Sequence, residues 1–289
     1  MIISEDIKAR IYLKRAQFTI ATSIAPRKHE VQLAAVNSWF ECGFKVISVN
    51  TSNEISALES IYPRVKFVDA PRDSSSITGK PLIFVDDVLK ALKQSQSLLY
   101  GIINSDIILR LSKWQLKQLA RDARGSLVFG SRVDIESTDL MEGEFFQEGF
   151  DFFFFDNVVA NVIVPSEFCL GAPWWDYWFP LIPILKGIPI ARLVTPAAYH
   201  VRHEIVWDWQ LHEAYCHKLL SLLISLDDIK LIDNSLKHIV ASFEHMNSFN
   251  GIDQEILSFI NGKSAAISYR NCTQCEKLRD LIANIVRKW

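Results

Sequence analysis

Leu98–Leu109 reads LLYGIINSDIIL: an apolar run stops on Asn104, Ser105 and Asp106 and then turns apolar again. Its composition is that of a buried strand, and a carboxylate at the end of such a strand needs a reason to be there. In an open parallel sheet, ligands bind beyond the carboxyl ends of the strands, where the loops converge. Asp106 at that edge has two readings. It caps the turn that follows, as Ser and Asp commonly do, or it takes a divalent cation whose oxygen ligands include a diphosphate.

The segments on either side alternate between the two periodicities. FTIATSI (18–24) is a short β-rich run ending in APRKHE, a turn with Pro26 and two basic residues; EVQLAAVNSWFECG (30–43) has helical spacing and closes on Gly43. FKVISVN (44–50) is a strand, SNEISALESIY (52–62) a helix opened by Ser52 or Asn53, and VKFVDA (65–70) a strand. PLIFVDDVLKALKQ (81–94) reads as a helix, Leu98–Leu109 as a strand, SKWQLKQLARDA (112–123) as a helix and SLVFGSRVDI (126–135) as a strand. The expected fold class is therefore α/β, a mostly parallel sheet flanked by helices on both faces.

After Gly149 the apolar runs are broken by Pro and Trp, as in an irregular, partly antiparallel second half. From Asp208 onward WQLHEAYCHKLLSLLIS, NSLKHIVASFEHM, DQEILSFING and QCEKLRDLIANIVRKW read as four helices without strands. The expected division is 1–207 for the α/β domain and 208–289 for a C-terminal helical extension, whose apolar faces point to self-association.

The 289 residues, 49% hydrophobic and 22% charged, suffice for a sizeable core. Lys and Arg total 31 against 33 Asp and Glu, a formal charge of -2, so nothing global attracts nucleic acid or an anionic membrane. An anionic ligand must be held by a local site. MIISEDIKARIYLKR mixes charges where a secretory signal would be apolar, and no window approaches the ~20 apolar residues of a membrane span. The expectation is a soluble, cytoplasmic protein, with peripheral membrane contact still compatible. Five cysteines, at 42, 169, 216, 272 and 275, are an odd number and fit a reducing compartment. The pair in NCTQC has no second half-site nearby and reads as two ordinary thiols.

Asp151 in GFDFFFF opens a very apolar strand, where a buried charge needs a partner such as Arg132, the favoured reading, or a role in a site; Arg132 and Asp134 are placed to orient one another. His212 and His217 are five apart on a helix, hence on different faces, and read as ordinary helix residues. Asp176 lies among Trp174, Trp175 and Trp178, aromatic faces that suit sugar rings but are as readily core.

TSIAPRKHEVQLAAVNSWFECGFKVISVN resembles the opening of the GT-A fold (Rossmann-like) glycosyltransferases, and GKPLIFVDDVLKAL followed by YGIINSDIIL resembles a family 2-like group of them. FGSRVDI, GFDFFFF, LGAPWWDYWF and YHVRHE follow in the order that group shows, so the resemblance spans roughly residues 15 to 207. It implies a nucleotide-diphospho-sugar transferase of polysaccharide or glycoconjugate synthesis. Asp106 would then be the metal-facing acid of a DxD-like motif, with Asn104 and Ser105 on the sugar or ribose side. Thr22, Ser23 and Arg27 would meet the nucleotide, Lys80 would approach ribose or phosphates, and Arg132 would lie near the donor. His200 or His203 would complete a site for Mn2+ or Mg2+, and Asp176 would be the base that accepts the acceptor's proton.

Two positions depart from the family pattern: Asn104 stands where the first acid belongs, and Ala172 follows Gly171 where an arginine belongs. Two rival functions remain. A sugar-phosphate nucleotidyltransferase shares the sheet but carries a glycine-rich loop after the first strand, and TSIAPRKHE has no glycine. A non-catalytic scaffold would use the C-terminal helices to dock a partner and would turn over no nucleotide sugar.

Overall fold

Residues 18–140, 142–146, 148–203, 208–225 and 251–269 are described by the computed structural model. The chain runs β1 (Phe18–Thr22), α1 (His29–Glu41), β2 (Lys45–Asn50), α2 (Ser52–Leu58), β3 (Lys66–Asp69), α3 (Ser75–Thr78), α4 (Val85–Gln94), β4 (Leu99–Ile103) and β5 (Ile107–Leu109). It continues through α5 (Lys113–Asp122), β6 (Leu127–Gly130), β7 (Val133–Ile135), β8 (Glu144–Phe145), β9 (Phe152–Asp156), α6 (Asn157–Val162) and α7 (Trp175–Leu185). The last described elements are β10 (Ile190–Leu193), β11 (Ala198–Val201), α8 (Trp209–Ser225), α9 (Ile252–Lys263) and β12 (Ala265–Ile267).

The large sheet has the order β12-β10-β6-β9-β4-β1-β2-β3. All neighbours are parallel except β9, which runs antiparallel to both β4 and β6. The fold is therefore α/β with a mostly parallel sheet flanked by helices, as the alternation of periods predicts. β9 shows why both faces are covered. Phe153 and Phe155 pack with α4 and α7 in one core, whereas Phe152 and Phe154 pack with α1 and α5 in the other. All four rings are buried, each contributing about 1.5–3 kcal/mol by removal from water.

Those rings leave no space opposite Gly130. A Cβ there would lie 2.4 Å from Phe152 Cζ and 3.1 Å from the Leu193 carbonyl oxygen. Gly130→Ala is expected to cost about 1–3 kcal/mol through overpacking, read as a lower midpoint in urea. An unchanged midpoint would mean that the ring moves aside freely.

Two segments that read as single strands are each split between two sheets. Leu98–Leu109 is β4 in the large sheet and β5 in a small one, ordered β5-β11-β7-β8; Ser126–Ile135 divides likewise into β6 and β7. At the break the Asn104 amide donates to the Asp151 carbonyl, and the Ile107 amide turns back onto the Asn104 carbonyl at 3.2 Å. Helix α1 fixes the second half: Trp39 Nε1 donates to the Ile107 carbonyl and Ser38 Oγ accepts from the Leu109 amide. The apolar residues of both halves are buried, each against a different partner.

Three boundaries also differ from the sequence reading. Helix α4 starts at Val85 because Phe84 bridges to Cys169 in extended conformation. Helix α2 is capped by Thr51, not Ser52 or Asn53, in a reciprocal capping box with Glu54. The C-terminal segment, expected to hold helices without strands, contributes β12, paired in parallel with β10. Helices α8 and α9 bury Tyr215, Leu219, Ile256 and Ile260 in the same core as α4 and α7. The 234–246 and 274–289 helices and the NCTQC pair lie outside the described residues. No described helix is long and apolar enough to cross a membrane.

Candidate active site

Parallel pairing of β1 with β4 brings Thr22 and Ile103 to the same edge of the sheet. Antiparallel β9 starts there, so Asp151 sits beside Asn104, with the Asn104 amide 3.1 Å from the Asp151 carbonyl. The small sheet supplies the remaining wall. In β11, His200 is paired with Asp134 of β7 on one side and with Ile107 of β5 on the other. Register alone thus carries His200 to the residue next to Asp106.

The result is a cavity of about 850 Å³ lined by Thr22, Ser23, Arg27, Lys80, Asn104, Ser105, Asp106, Arg132, His200 and His203. Every residue expected to meet the donor or a metal therefore lines one cavity. Lys28, Asp151 and Arg202, which the sequence reading did not assign to a ligand, line it as well. Gln32 shapes the rim: its Oε1 accepts from the Ala25 amide and its Nε2 donates to the Ala25 and Arg27 carbonyls. Lys28 there adopts a left-handed conformation with φ 50°.

Asp106, His200 and His203 each present a ligand atom within 4.8 Å of the other two. His200 Nε2 and His203 Nε2 are 3.6 and 3.9 Å from Asp106 Oδ2. Burial disfavours the Asp106 charge, but the two facing histidines prevail and hold its carboxyl below the usual range. His200 Nδ1 lies 3.0 Å from Asp134 Oδ1, and Asp134 is in turn gripped by Arg132 Nε at 2.7 Å. A histidine whose second ring nitrogen meets a carboxylate is the usual arrangement at metal sites. Two imidazoles and one carboxylate fit a divalent transition ion such as manganese.

Arg132 also donates through its second arm to Asp151 Oδ1 at 2.8 Å, so both expected pairings of this arginine form. Asn104 Nδ2 donates to the same oxygen at 3.2 Å. Asp151 is 3% exposed, and burial raises its pKa against the pull of Arg132. Its Oδ2 is buried without a partner among the described residues, and so is Thr22 Oγ1. Buried polar atoms are almost always bonded, so two such atoms on residues lining one cavity point to a ligand there.

Asp176 stands apart from these residues. It is not among the residues lining the cavity. Its Oδ2 accepts the Phe150 amide at 3.0 Å, in the first turn of α7, so the carboxylate braces the backbone entering β9. Trp174, Trp175 and Trp178 are buried core. His212 stacks near Trp174 as an ordinary helix residue.

Burial pushes the Asp176 carboxyl up to about 7, with Asp151 adding to the shift. A raised folded-state value means that stability present below about pH 4, the unfolded value, is lost as pH rises towards 7. Asp176→Asn keeps an acceptor for Phe150 without the charge. It is expected to melt close to the parent at pH 5 and above it at pH 8; parallel melting curves at both pH values would refute this role.

No protein-family model matches the chain, and no curated protein matches it. Solved structures do match. One, described as a nucleotide-diphospho-sugar transferase from Desulfovibrio desulfuricans G20, is 11% identical with a TM-score of 0.38, over 79% of this chain and 97% of that one. Another, described as a glucose-1-phosphate thymidylyltransferase from Bacillus anthracis in complex with sucrose, is 12% identical with a TM-score of 0.37, over 73% and 96%. A UDP-glucose pyrophosphorylase complexed with UDP-glucose is 8% identical with a TM-score of 0.26, over 50% and 78%. Similarity of this degree assigns no reaction to this chain, and its function rests on the site's own residues.

Proposed function

We propose that this chain is a transferase of nucleotide-diphospho-sugars: a glycosyltransferase that moves the sugar to a hydroxyl of a glycan or similar acceptor during polysaccharide or glycoconjugate synthesis. The observation that carries this reading is a single cavity in which the Asp106–His200–His203 cluster shares walls with Arg27, Lys28, Lys80 and Arg202. In a chain of net charge -2, Arg27, Lys28 and Lys80 around one opening are a local site for phosphates, while Arg202 is held by Glu136 and Glu144.

Each wall has its task. Thr22 and Ser23, at the end of β1, meet the nucleotide, and the basic residues bind its phosphates. Arg132 fixes Asp134, which fixes the His200 ring, so the cluster is oriented before a ligand arrives. A divalent cation bound by Asp106, His200 and His203 would neutralise charge on the leaving diphosphate. Nucleotidyl transfer from a sugar phosphate would use the same cavity, but the loop Ala25–Lys28 lacks the glycines that such a reaction's phosphate cradle uses.

The test is a thermal-shift screen of nucleoside diphosphates and their sugars, with and without manganese. One nucleotide class at a hundred times its Kd should stabilise the fold by about 2.7 kcal/mol, or roughly 4–5 °C at this chain length. Product analysis then separates glycosyl transfer, which releases nucleoside diphosphate, from nucleotidyl transfer, which releases pyrophosphate. The absence of any shift would favour the scaffold.

A further inference from the structure

We infer that Asp151 recognises a hydroxyl of the ligand's sugar through the carboxylate oxygen that the fold leaves unpaired. The inference rests on the proposed nucleotide-sugar reading and adds where the sugar lies and which group selects it. Asp151 lines the cavity while 3% exposed, a position at which a polar atom cannot rely on bulk water. One oxygen, Oδ1, is fully used, by Arg132 Nη1 and by Asn104 Nδ2. The other, Oδ2, has no donor among the described residues.

The chemistry of the missing partner follows from the neighbours. A phosphate is not that partner, because its ionised oxygens have no proton to donate to a carboxylate and repel it. A metal role is not indicated either, since the cluster of mutually close ligand atoms consists of Asp106, His200 and His203 without Asp151. The Arg132 guanidinium already balances the Asp151 charge, so what Oδ2 lacks is a neutral donor. A sugar hydroxyl is such a donor. Arg27 and Lys28, which follow β1, and Thr22 Oγ1, which has no partner among the described residues, mark the β1 side for the nucleotide and its phosphates. The sugar then lies towards β9, where Asp151 is.

A site that bonds a hydroxyl discriminates strongly against the analogue lacking it, because its own buried group is left bare. The experiment is calorimetric titration of the full chain with the nucleotide sugar found by the screen, its nucleoside diphosphate, and each monodeoxy analogue of its sugar. In the parent protein one deoxy analogue should bind about 10- to 100-fold more weakly than the complete sugar. In Asp151→Ala the two should bind alike, while affinity for the nucleoside diphosphate stays unchanged.

If Asp151→Ala does not fold, Asp151→Asn serves in its place. It keeps Oδ1 for Arg132 and Asn104, and a neutral amide bonds a hydroxyl less strongly than a carboxylate, so the penalty for the same deoxy analogue should shrink several-fold. Equal binding of every deoxy analogue by the parent overturns the inference and leaves the nucleotide-sugar reading standing. Loss of nucleoside diphosphate and sugar affinity together in the variants also overturns it, since Asp151 would then act only as the partner of Arg132. A parent protein that binds no nucleotide sugar removes both.

Discussion

Asp106→Ala is expected to abolish the manganese-dependent part of nucleotide-sugar binding and to slow transfer by about 10²- to 10³-fold. The size follows from the several kcal/mol that a divalent cation contributes to stabilising a leaving diphosphate, at roughly 1.4 kcal/mol per tenfold in rate. Asp106 supplies the carboxylate of the cluster, and without it two imidazoles with ring centroids 4.9 Å apart remain. The two histidines hold its carboxyl below the usual range, so its removal should also lower the melting temperature of the unliganded protein at neutral pH. Thermal shifts with and without manganese, beside a transfer assay, measure both parts. A variant that keeps a full manganese-dependent shift would exclude Asp106 from the metal site.

Arg132→Leu should have the largest effect on stability. The guanidinium is 13% exposed and joins Asp134 at 2.7 Å to Asp151 at 2.8 Å. Removing it leaves one carboxylate nearly buried and unbalanced, at a cost of about 3–5 kcal/mol. The cost should depend on pH. Burial already holds the folded-state pKa of Asp151 above its ordinary value, and loss of Arg132 removes the main opposing influence. A carboxyl raised in this way contributes stability at low pH that disappears as pH rises, so the gap between parent and variant should be narrower at pH 5 than at pH 8. Urea denaturation at the two values decides; a gap that is constant, or wider at pH 5, would contradict the account.

The sequence shows much of this architecture where a local pattern coincides with a local element. Periods of two and of three to four carry β1 to α4, and polar residues interrupting an apolar run mark the end of β4, which is why Asp106 is recognisable, whereas Thr22 and the role of Asn104 come from the family resemblance. The divided strands are hidden for a physical reason. Both halves of Leu98–Leu109 are apolar, and only the identity of the partner, β1 and β9 for one half and β11 for the other, separates them. Asp134 is hidden as the orienting group of His200 because 66 positions and a parallel register lie between them. The bond of the Asp176 carboxylate is hidden likewise, because it goes to a backbone amide 26 positions away. β12, with three residues, is too short for any periodicity.

That last strand has a consequence for how the molecule is made. β10 pairs with β6 as soon as it is synthesised, but its opposite side waits for Ala265–Ile267. At about 5–20 residues per second on the ribosome, the wait lasts several seconds. During it the nascent chain presents an open strand border, the kind of surface that invites association with other chains. Helper proteins that shield unfinished chains would therefore matter most in that interval, and release of an incomplete product ending before residue 265 would leave the border permanently uncovered.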